Sequence, residues 1–489
     1  MKNVNFFRSV SMMLTLLTLA SCGSGSAGSA NDTAASQDTT TEAQETTDYL
    51  STIPAVDLGG TPFRIVVNDQ ADRPNLHAGE MTGEIINDAM VERDRKVEEM
   101  FNTKIEYTAF DDRNKLTPQV KTVISAGEDA YDVIITTPCQ STDSLALAGM
   151  LSDLASINTL NLDAEWWNES MNDAMTHKGK TYATAGPMAL CYCYSPYAFF
   201  VNLNMVEDYK LPNVYDMVRD GSWTLDSMAS MMKNISADLD NDGKMSGADR
   251  FGISTTGESG KAFFIGCGQK MAEKTDDGVE LYMDSAAAVD VLEKLNSIMR
   301  TDDTVCTDGT RIFVGNTADA KIALFLEARS LFGALPLQWG VLNFRDMKDD
   351  YAILPYPKFN EAQTDYYTHM NSFFPYAISI PVTNTRLEET GAVMEALSYI
   401  SQTTILPKIN EVVLNEKIAR DEDSKEMLDI LFENVSIDLN TVFDFGGSAN
   451  ILRSFAVGET ENYVSEYAGK KTAIEAAVQA MLDAYEDMQ

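Results

Sequence analysis

From Phe63 onward the chain switches between two hydrophobic periods. Phe63 to Val67 is a β-branched run, a polar loop follows from Asn68 to Asn75, and Ile86, Met90, Val97 and Phe101 then recur at helical spacing over 82–101. Ile105 and Tyr107 alternate as a second strand, 115–126 reads as a second helix, and Tyr131 to Thr136 is almost continuously apolar. This β-α-β-α-β order, with a strand apolar on both faces, predicts an α/β fold with a helix-covered parallel sheet. Ligands of such sheets bind outside the carboxyl ends of the strands, here the loops 68–72 and 137–141, which nominates Asn68, Asp69 and Gln140.

Further along, Tyr182 to Asn202 reads as extended, with aromatics at 192, 194, 197, 199 and 200. Thr224 is placed to cap a helix running to about Ile235 through Leu225, Met228, Met231 and Met232. A helix is expected over 285–300, short strands at 321–325, 351–354 and 377–381, and a closing helix over 470–488 with Ile474, Val478, Met481, Leu482 and Tyr485 inward. No repeat of 20–50 residues is visible, which argues against a solenoid or propeller.

Upstream of this pattern, Lys2 and Arg8 precede an apolar core from Met12 to Leu19 and then Leu19-Ala20-Ser21-Cys22. That is a secretory signal (1–21), too short to span a membrane, and its end resembles the bacterial lipobox, in which Cys22 would receive diacylglycerol. From Gly23 to Asp48 there is no Val, Ile, Leu, Met or aromatic residue. Such a segment cannot bury enough apolar surface to fold, so 22–58 is expected to be a lipidated, flexible tether with a reach of about 30–36 Å. The protein would then sit on the cell membrane through lipid alone, facing outside the cytoplasm.

The 489 residues carry 37 Lys+Arg against 74 Asp+Glu, a net charge of −37, with 44% hydrophobic and 23% charged residues. The balance is that of a globular chain of two or three domains. Without a basic run it excludes nucleic acid as a partner. His77, His177 and His369 are too scattered to suggest a histidine metal site. Beyond the lipobox, Cys139, Cys191, Cys193, Cys267 and Cys306 form an odd set without framework spacing, read as buried thiols rather than disulfides.

One motif carries explicit chemistry. The twelve residues Asp238 to Asp249 place carboxylates at positions 1, 3, 5 and 12 and glycine at position 6, a pattern that wraps one Ca2+. Asp238, Asp240 and Asp242 would be side-chain ligands, Lys244 would give its carbonyl, Ser246 would bind directly or through water, and Asp249 would close the shell. The last residue is Asp where an EF-hand has Glu, so the loop resembles the dockerin-type variant, and its role is read as structural. Thr255 to Ala262 (TTGESGKA) imitates a phosphate-binding loop but lacks its first glycine and its terminal hydroxyl. Gly257-Glu258-Ser259-Gly260-Lys261 is likewise no nucleophile elbow. Carboxylate pairs for glycoside hydrolysis stay open, because 74 acids offer many pairs.

Aromatic side chains are the remaining candidates, since a sugar ring presents an apolar C–H face. On an extended segment neighbours point oppositely, so one of Trp166 and Trp167 would pack while the other faced a cleft among Asp163, Glu165, Asn168 and Glu169.

Taken in order, the lipobox, the tether, the opening β-α-β-α-β, Asp163-Ala-Glu-Trp-Trp-Asn168, the aromatic run, Gly221-Ser-Trp-Thr-Leu-Asp226 and Asp350 to Lys358 resemble the family 1 extracellular solute-binding proteins of ABC importers. These are the sugar-binding relatives of maltose-binding protein. The resemblance implies a two-lobed, type II periplasmic-binding-protein-like fold: two mostly parallel sheets flanked by helices and joined by hinge crossovers. Lobe one would comprise 59–194 and 322–378, and lobe two 195–321 and 379–489. The crossovers would fall at 192–197, 320–324 and 376–380. It implies a monomeric, non-catalytic receptor that captures a sugar or oligosaccharide and delivers it to ABC permease subunits. The ligand-binding set is then Asn68, Asp69, Gln140, Trp166, Trp167, Tyr192, Tyr194, Tyr197, Trp339 and Tyr367. The alternatives are a surface-anchored glycoside-acting enzyme and a receptor for a peptide or polyamine.

Overall fold

The computed structural model describes residues 48–487 except 71–75, 276–277, 302, 307–317, 345–346, 410–421, 457–459 and 461. The signal segment, Cys22 and most of the expected tether lie outside the described residues.

In chain order the main elements are β1 (Phe63–Asn68), α1 (Ile85–Phe101), β2 (Ile105–Phe110), α2 (Arg113–Ser125), β3 (Val133–Thr136), α3 (Glu169–Met175), β4 (Thr184–Ala185) and β5 (Tyr197–Asn202). Then follow α4 (Leu225–Met232), β6 (Phe251–Thr255), α5 (Ser259–Gly266), the hairpin β7 (Ala272–Thr275) and β8 (Gly278–Leu281), α6 (Ala286–Met299), β9 (Thr304–Cys306), α7 (Ala318–Leu326) and β10 (Ser330–Pro336). The chain continues through α8 (Leu337–Asn343), β11 (Tyr351–Leu354), β12 (Ala377–Ser379), α9 (Leu387–Ile400) and α10 (Glu422–Glu433) to α11 (Tyr463–Asp487).

Two five-stranded sheets result, ordered β2-β1-β3-β12-β4 and β9-β6-β10-β5-β11. Each is mixed. β1 pairs in parallel with β2 and β3, and β6 with β9 and β10, as β-α-β connections require. β12 and β5 run antiparallel to β3 and β10 because each enters its sheet from the hinge, beside the strands' carboxyl ends: Ala377 faces Thr136, and Tyr197 faces Pro336. At the hinge two crossing segments meet through a single isolated bridge, Pro196 to Met370, with Asn371 N–H donating to the Ser195 carbonyl at 3.0 Å.

The sheets redraw the expected lobe boundaries. Residues 330–336 and 351–354 pair inside the second sheet, not the first, because β10 and β11 flank β5. Residues 379–409 stay with lobe one: fully buried Asp132 accepts from Arg64 Nη2 at 2.9 Å and Arg386 Nη2 at 2.6 Å, and α9 packs on α1. Lobe one is thus 48–185 with 377–409, and lobe two 197–354 with 422–487. The first crossover lies where the sequence puts it, but the strand and crossover expected at 320–325 are the interior of α7. The extended reading of 182–202 is also corrected, since Cys191–Tyr194 makes a helical turn between β4 and β5. The folded body begins ten residues before the expected end of the tether: Leu50 and Leu58 are buried, and the Tyr49 ring lies 4.6 Å from Trp166 and 5.2 Å from Tyr399.

Elsewhere local chemistry places the elements as read. Thr224 and Ser227 form a reciprocal capping box on α4, whose Leu225, Met228, Met231 and Met232 are buried. Trp223, fully buried against Phe199 and Phe332, donates its indole N–H to the Pro355 carbonyl at 3.0 Å. Cys139, Cys191, Cys193 and Cys267 are buried free thiols. Among the described residues no helix is long and apolar enough to cross a membrane.

Candidate functional site

The loops after the carboxyl ends of β3 and β6 meet across the lobes at the hinge ring of Phe373, the strand-end crevice. On the lobe-one side β3 leads into residues 137–142, whose bend needs Gln140 at φ +66°. Ser141 Oγ fastens this loop, 2.9 Å from Thr136 Oγ1 and 2.6 Å from Thr117 Oγ1 on α2, while Cys139 N–H donates to Ser372 of the hinge at 3.3 Å. Exposed Gln140 is thereby held at the rim, and its Oε1 accepts from Arg113 Nη2 at 3.0 Å. Arg113 is the first residue of α2, which Asp112 caps. Its guanidinium carbon stands 5.1 Å from the centroid of Phe373, a half-buried hinge residue.

From lobe two, β6 ends at Thr255 and turns into α5. Ser259 Oγ ties the turn to β10 by donating to the Ala334 carbonyl at 2.7 Å. A Cβ at Gly257 would meet the Arg453 side chain, with Cγ at 2.9 Å. Lys261, 2% exposed, reaches the same ring with Nζ 5.1 Å from the Phe373 centroid. Its counter-charge is buried Glu258, with Oε2 at 3.1 Å from Lys261 Nζ and Oε1 at 3.8 Å from Arg453 Nη1. Asp444 is held by Ala449 N–H at 2.9 Å and Asn450 Nδ2 at 2.8 Å, and burial raises its carboxyl above the ordinary aspartate range. Behind Lys261, His369 is kept neutral by burial and by that lysine's charge. Neither ring nitrogen of His369 has a hydrogen-bond partner among the described residues.

A second interlobe space, about 1310 Å³, is a groove bounded by residues 155–181 of lobe one and by 265–270 and 432–436 of lobe two. Trp167, Tyr192 and Tyr367 line it among Asn168, Asp173 and Glu433. One flank is sealed from lobe to lobe. Lys274 Nζ of β7 donates to the carbonyls of Asp173 (3.2 Å), Ala174 (2.7 Å) and Thr176 at the end of α3. Burial lowers its amine to a pKa of about 8. Tyr485 of α11 stacks on His177 at 4.9 Å and Tyr182 at 5.2 Å.

The sequence candidates therefore part company. Gln140 lies at the crevice rim and Asp69 at the carboxyl end of β1, where its Oδ2 is 2.8 Å from His77 Nδ1 and raises that imidazole's pKa. Asn68 is fully buried and ties β1 to β2 by donating to Phe110 O at 3.2 Å. Trp166 and Trp167 are both only 5% exposed. Their segment is a turn, not a strand, yet the two part as expected: Trp166 packs on Tyr49 and Tyr399, while Trp167, its Nε1 donating to Glu395 at 3.1 Å, lines the groove with Asp163, Glu165, Asn168 and Glu169. Tyr194 and Tyr197 are core residues, whereas Tyr192, its hydroxyl accepting from Asn168 at 3.1 Å, and half-buried Tyr367 belong to the groove. Trp339 is half-buried on α8, three residues beyond β10. Arg113, Lys261, Glu258 and Phe373 were not among the candidates. The available signal was TTGESGKA, which is a strand-to-helix turn with a buried lysine even though it is no nucleotide loop.

The acidic loop sits apart, on lobe two between α4 and β6. Carboxylate oxygens of Asp238, Asp240 and Asp242 lie within 4.8 Å of one another. Asp238 also accepts from Asn241 N–H (2.7 Å) and Gly243 N–H (2.8 Å), with Gly243 at φ +82°. Ser246 Oγ accepts from Ala248 N–H at 3.1 Å, and Lys244 N–H donates to Asp242 at 2.8 Å. Fully buried Asp249 closes the turn by accepting from Leu239 N–H (2.8 Å) and Ser246 N–H (2.7 Å). Gly247 and Asp249 offer their carbonyls to Arg329 at the start of β10.

Comparison with known proteins agrees with this architecture. The family described as bacterial extracellular solute-binding protein matches residues 92–399, well over half of the chain. An ABC substrate-binding protein of Listeria monocytogenes, solved in complex with cycloalternan, is 14% identical with a TM-score of 0.52, over 87% of this chain and 99% of that one. The GacH receptor of Streptomyces glaucescens, solved unliganded and with acarbose and an acarbose homologue, is 12% identical with a TM-score of 0.54, over 88% of this chain and 98% of that one. At these identities the likeness is one of fold. No curated protein matches significantly.

Proposed function

Since the chain belongs to the bacterial extracellular solute-binding proteins, we propose that it captures a carbohydrate in the strand-end crevice and delivers it to the permease of an ABC importer. The observation that carries this reading is the convergence of Gln140 and Arg113 from one lobe and Glu258 and Lys261 from the other on the hinge ring of Phe373. An aromatic face with hydrogen-bonding side chains around it suits a sugar ring. The folds of the cycloalternan and acarbose receptors are consistent with an oligosaccharide. Ligand touching both lobes favours the closed form by its differential affinity for it, and no bond in the ligand changes.

The expected result is a rise in melting temperature with a saccharide at constant product profile. Ligand at about 100 times Kd adds about 2.7 kcal/mol. A stabilising peptide or polyamine, with a broad panel of sugars inert, would replace the carbohydrate assignment; release of new reducing ends would replace the receptor. In this reading the protein acts as a monomer, anchored outside the cytoplasm by lipid on Cys22, and labelling with a radioactive or clickable fatty acid tests the anchor. Ca2+ bound by Asp238, Asp240 and Asp242, with the Lys244 carbonyl, Ser246 and Asp249 completing the shell, would brace the turn between α4 and β6. The hard-oxygen donor set and the glycine at the sixth position fit that ion. Chelator should lower the melting temperature of the native protein and not that of Asp238→Ala; equal melting with and without chelator rejects the site.

A further inference from the structure

We infer that the crevice is built for an anionic saccharide, its carboxylate or sulfate held between Arg113 of lobe one and Lys261 of lobe two. This rests on the carbohydrate reading above and narrows it to a charge class.

The argument begins with charge placement. In a chain whose acids outnumber its cations 74 to 37, cations from opposite lobes stand over one ring, each 5.1 Å from the Phe373 centroid. They are thus no more than about 10 Å apart, within one Debye length at 0.1 M salt and partly shielded from water. The described acids facing them are Glu258 and Asp444. Glu258 is shared between Lys261 and Arg453, and Asp444 is satisfied by Ala449 N–H and the Asn450 amide. Arg113 is left over. It enters no ion pair among the described residues, its partner is the neutral Gln140 amide oxygen, and its Nε is buried without a partner.

Two further observations point the same way. Arg113 and Lys261 occupy the first turns of α2 and α5, so the partial positive charge of two helix N-termini adds to theirs from opposite sides. His369, 1% exposed and within the field of Lys261, has neither ring nitrogen bonded among the described residues. Arg113 and Lys261 bring like charges from the two lobes to Phe373 with Glu258 countering only Lys261, and an anion that reaches both would bridge the lobes. A planar guanidinium with free donors also matches a carboxylate or sulfate better than a neutral hydroxyl.

The test titrates purified full-length protein calorimetrically with an oligogalacturonate, with its methyl ester and with a sulfated disaccharide. The uronate is expected to bind at least 30-fold more tightly than the ester, with affinity falling as NaCl rises. Arg113→Gln should lose at least tenfold for the acid and several-fold less than that for the ester, and Arg113→Lys should lie between wild type and Arg113→Gln for the acid. An unchanged ligand-free melting temperature in both variants shows that the fold is intact. Tighter binding of the sulfated sugar than of the uronate keeps the anion assignment and names sulfate as its source. Neutral saccharides binding as tightly as either acid would overturn the inference while the carbohydrate reading stood. No saccharide binding at all would overturn both.

Discussion

The two interlobe spaces differ in how the lobes meet across them. Along the groove the lobes bond to each other: Lys274 caps the carbonyl end of α3 across the gap, and Tyr485 stacks on His177 and Tyr182, although His177 Nε2 and the Tyr485 hydroxyl have no hydrogen-bond partner among the described residues. In the crevice they do not. Among the described residues Arg113 has a neutral partner, His369 has none, and the charges meeting on Phe373 are alike. A flank completed by protein needs no ligand to stay shut and serves as a pivot. A flank with unspent donors gains most when something enters, and serves as the mouth.

That contrast can be broken most severely at Trp167. It lines the groove but is anchored to buried Glu395, so Trp167→Ala should cost about 3–5 kcal/mol in urea unfolding. Loss of ligand affinity at unchanged stability would move the binding site to the groove. Lys274→Met should cost about 2–3 kcal/mol, because three carbonyls at the end of α3 lose their donor; Arg113→Gln should change stability by less than about 0.5 kcal/mol. Equal costs for the two would erase the distinction between pivot and mouth.

Asp143 stands between the spaces, its charge felt by Cys139 on one side and Tyr485 on the other. Burial pushes its carboxyl up to about 6, above the unfolded value of 3.8. The folded state therefore binds the proton more readily, and this residue's share of stability grows as pH falls through 6 toward 4. Asp143→Asn should gain on the order of 1 kcal/mol at pH 8 and nothing at pH 4, as read by thermal melts at the two pH values. The smallest effect belongs to half-buried Tyr367, where Tyr367→Ala should shift stability by under about 1 kcal/mol and leave saccharide affinity unchanged.

How much of this was legible depends on distance along the chain. The opening β-α-β-α-β, the Thr224 cap and the methionine stripe of α4 are local, and period and capping chemistry were enough to find them. Residues 321–325 failed because a short apolar run fits a buried helix as well as a strand, and α7 is buried against β10. The lobe boundaries failed because strand pairing is not written in any one segment: β10 joins β5, which lies some 130 residues earlier. Trp166 and Trp167 divide between packing and groove as read, although their segment turns where the alternation rule presumes a strand. The crevice itself was half visible. Gln140 came from the rule about strand ends, but Arg113 and Lys261 look like ordinary first-turn residues until Phe373, more than a hundred residues further on, brings them together.

Tyr49 and Leu50 dock on lobe one, against Trp166 and Tyr399. Whatever precedes Asp48 is consequently spliced to one lobe only. If that leash ends in lipid, lobe one is the ballast and lobe two the swinging arm, and the mouth faces a permease with one jaw held at a set height. A pull on the leash then loads the seam between the Tyr49 turn and α9 instead of prying the jaws apart. Thermal agitation of the anchor and the opening of the crevice become mechanically independent.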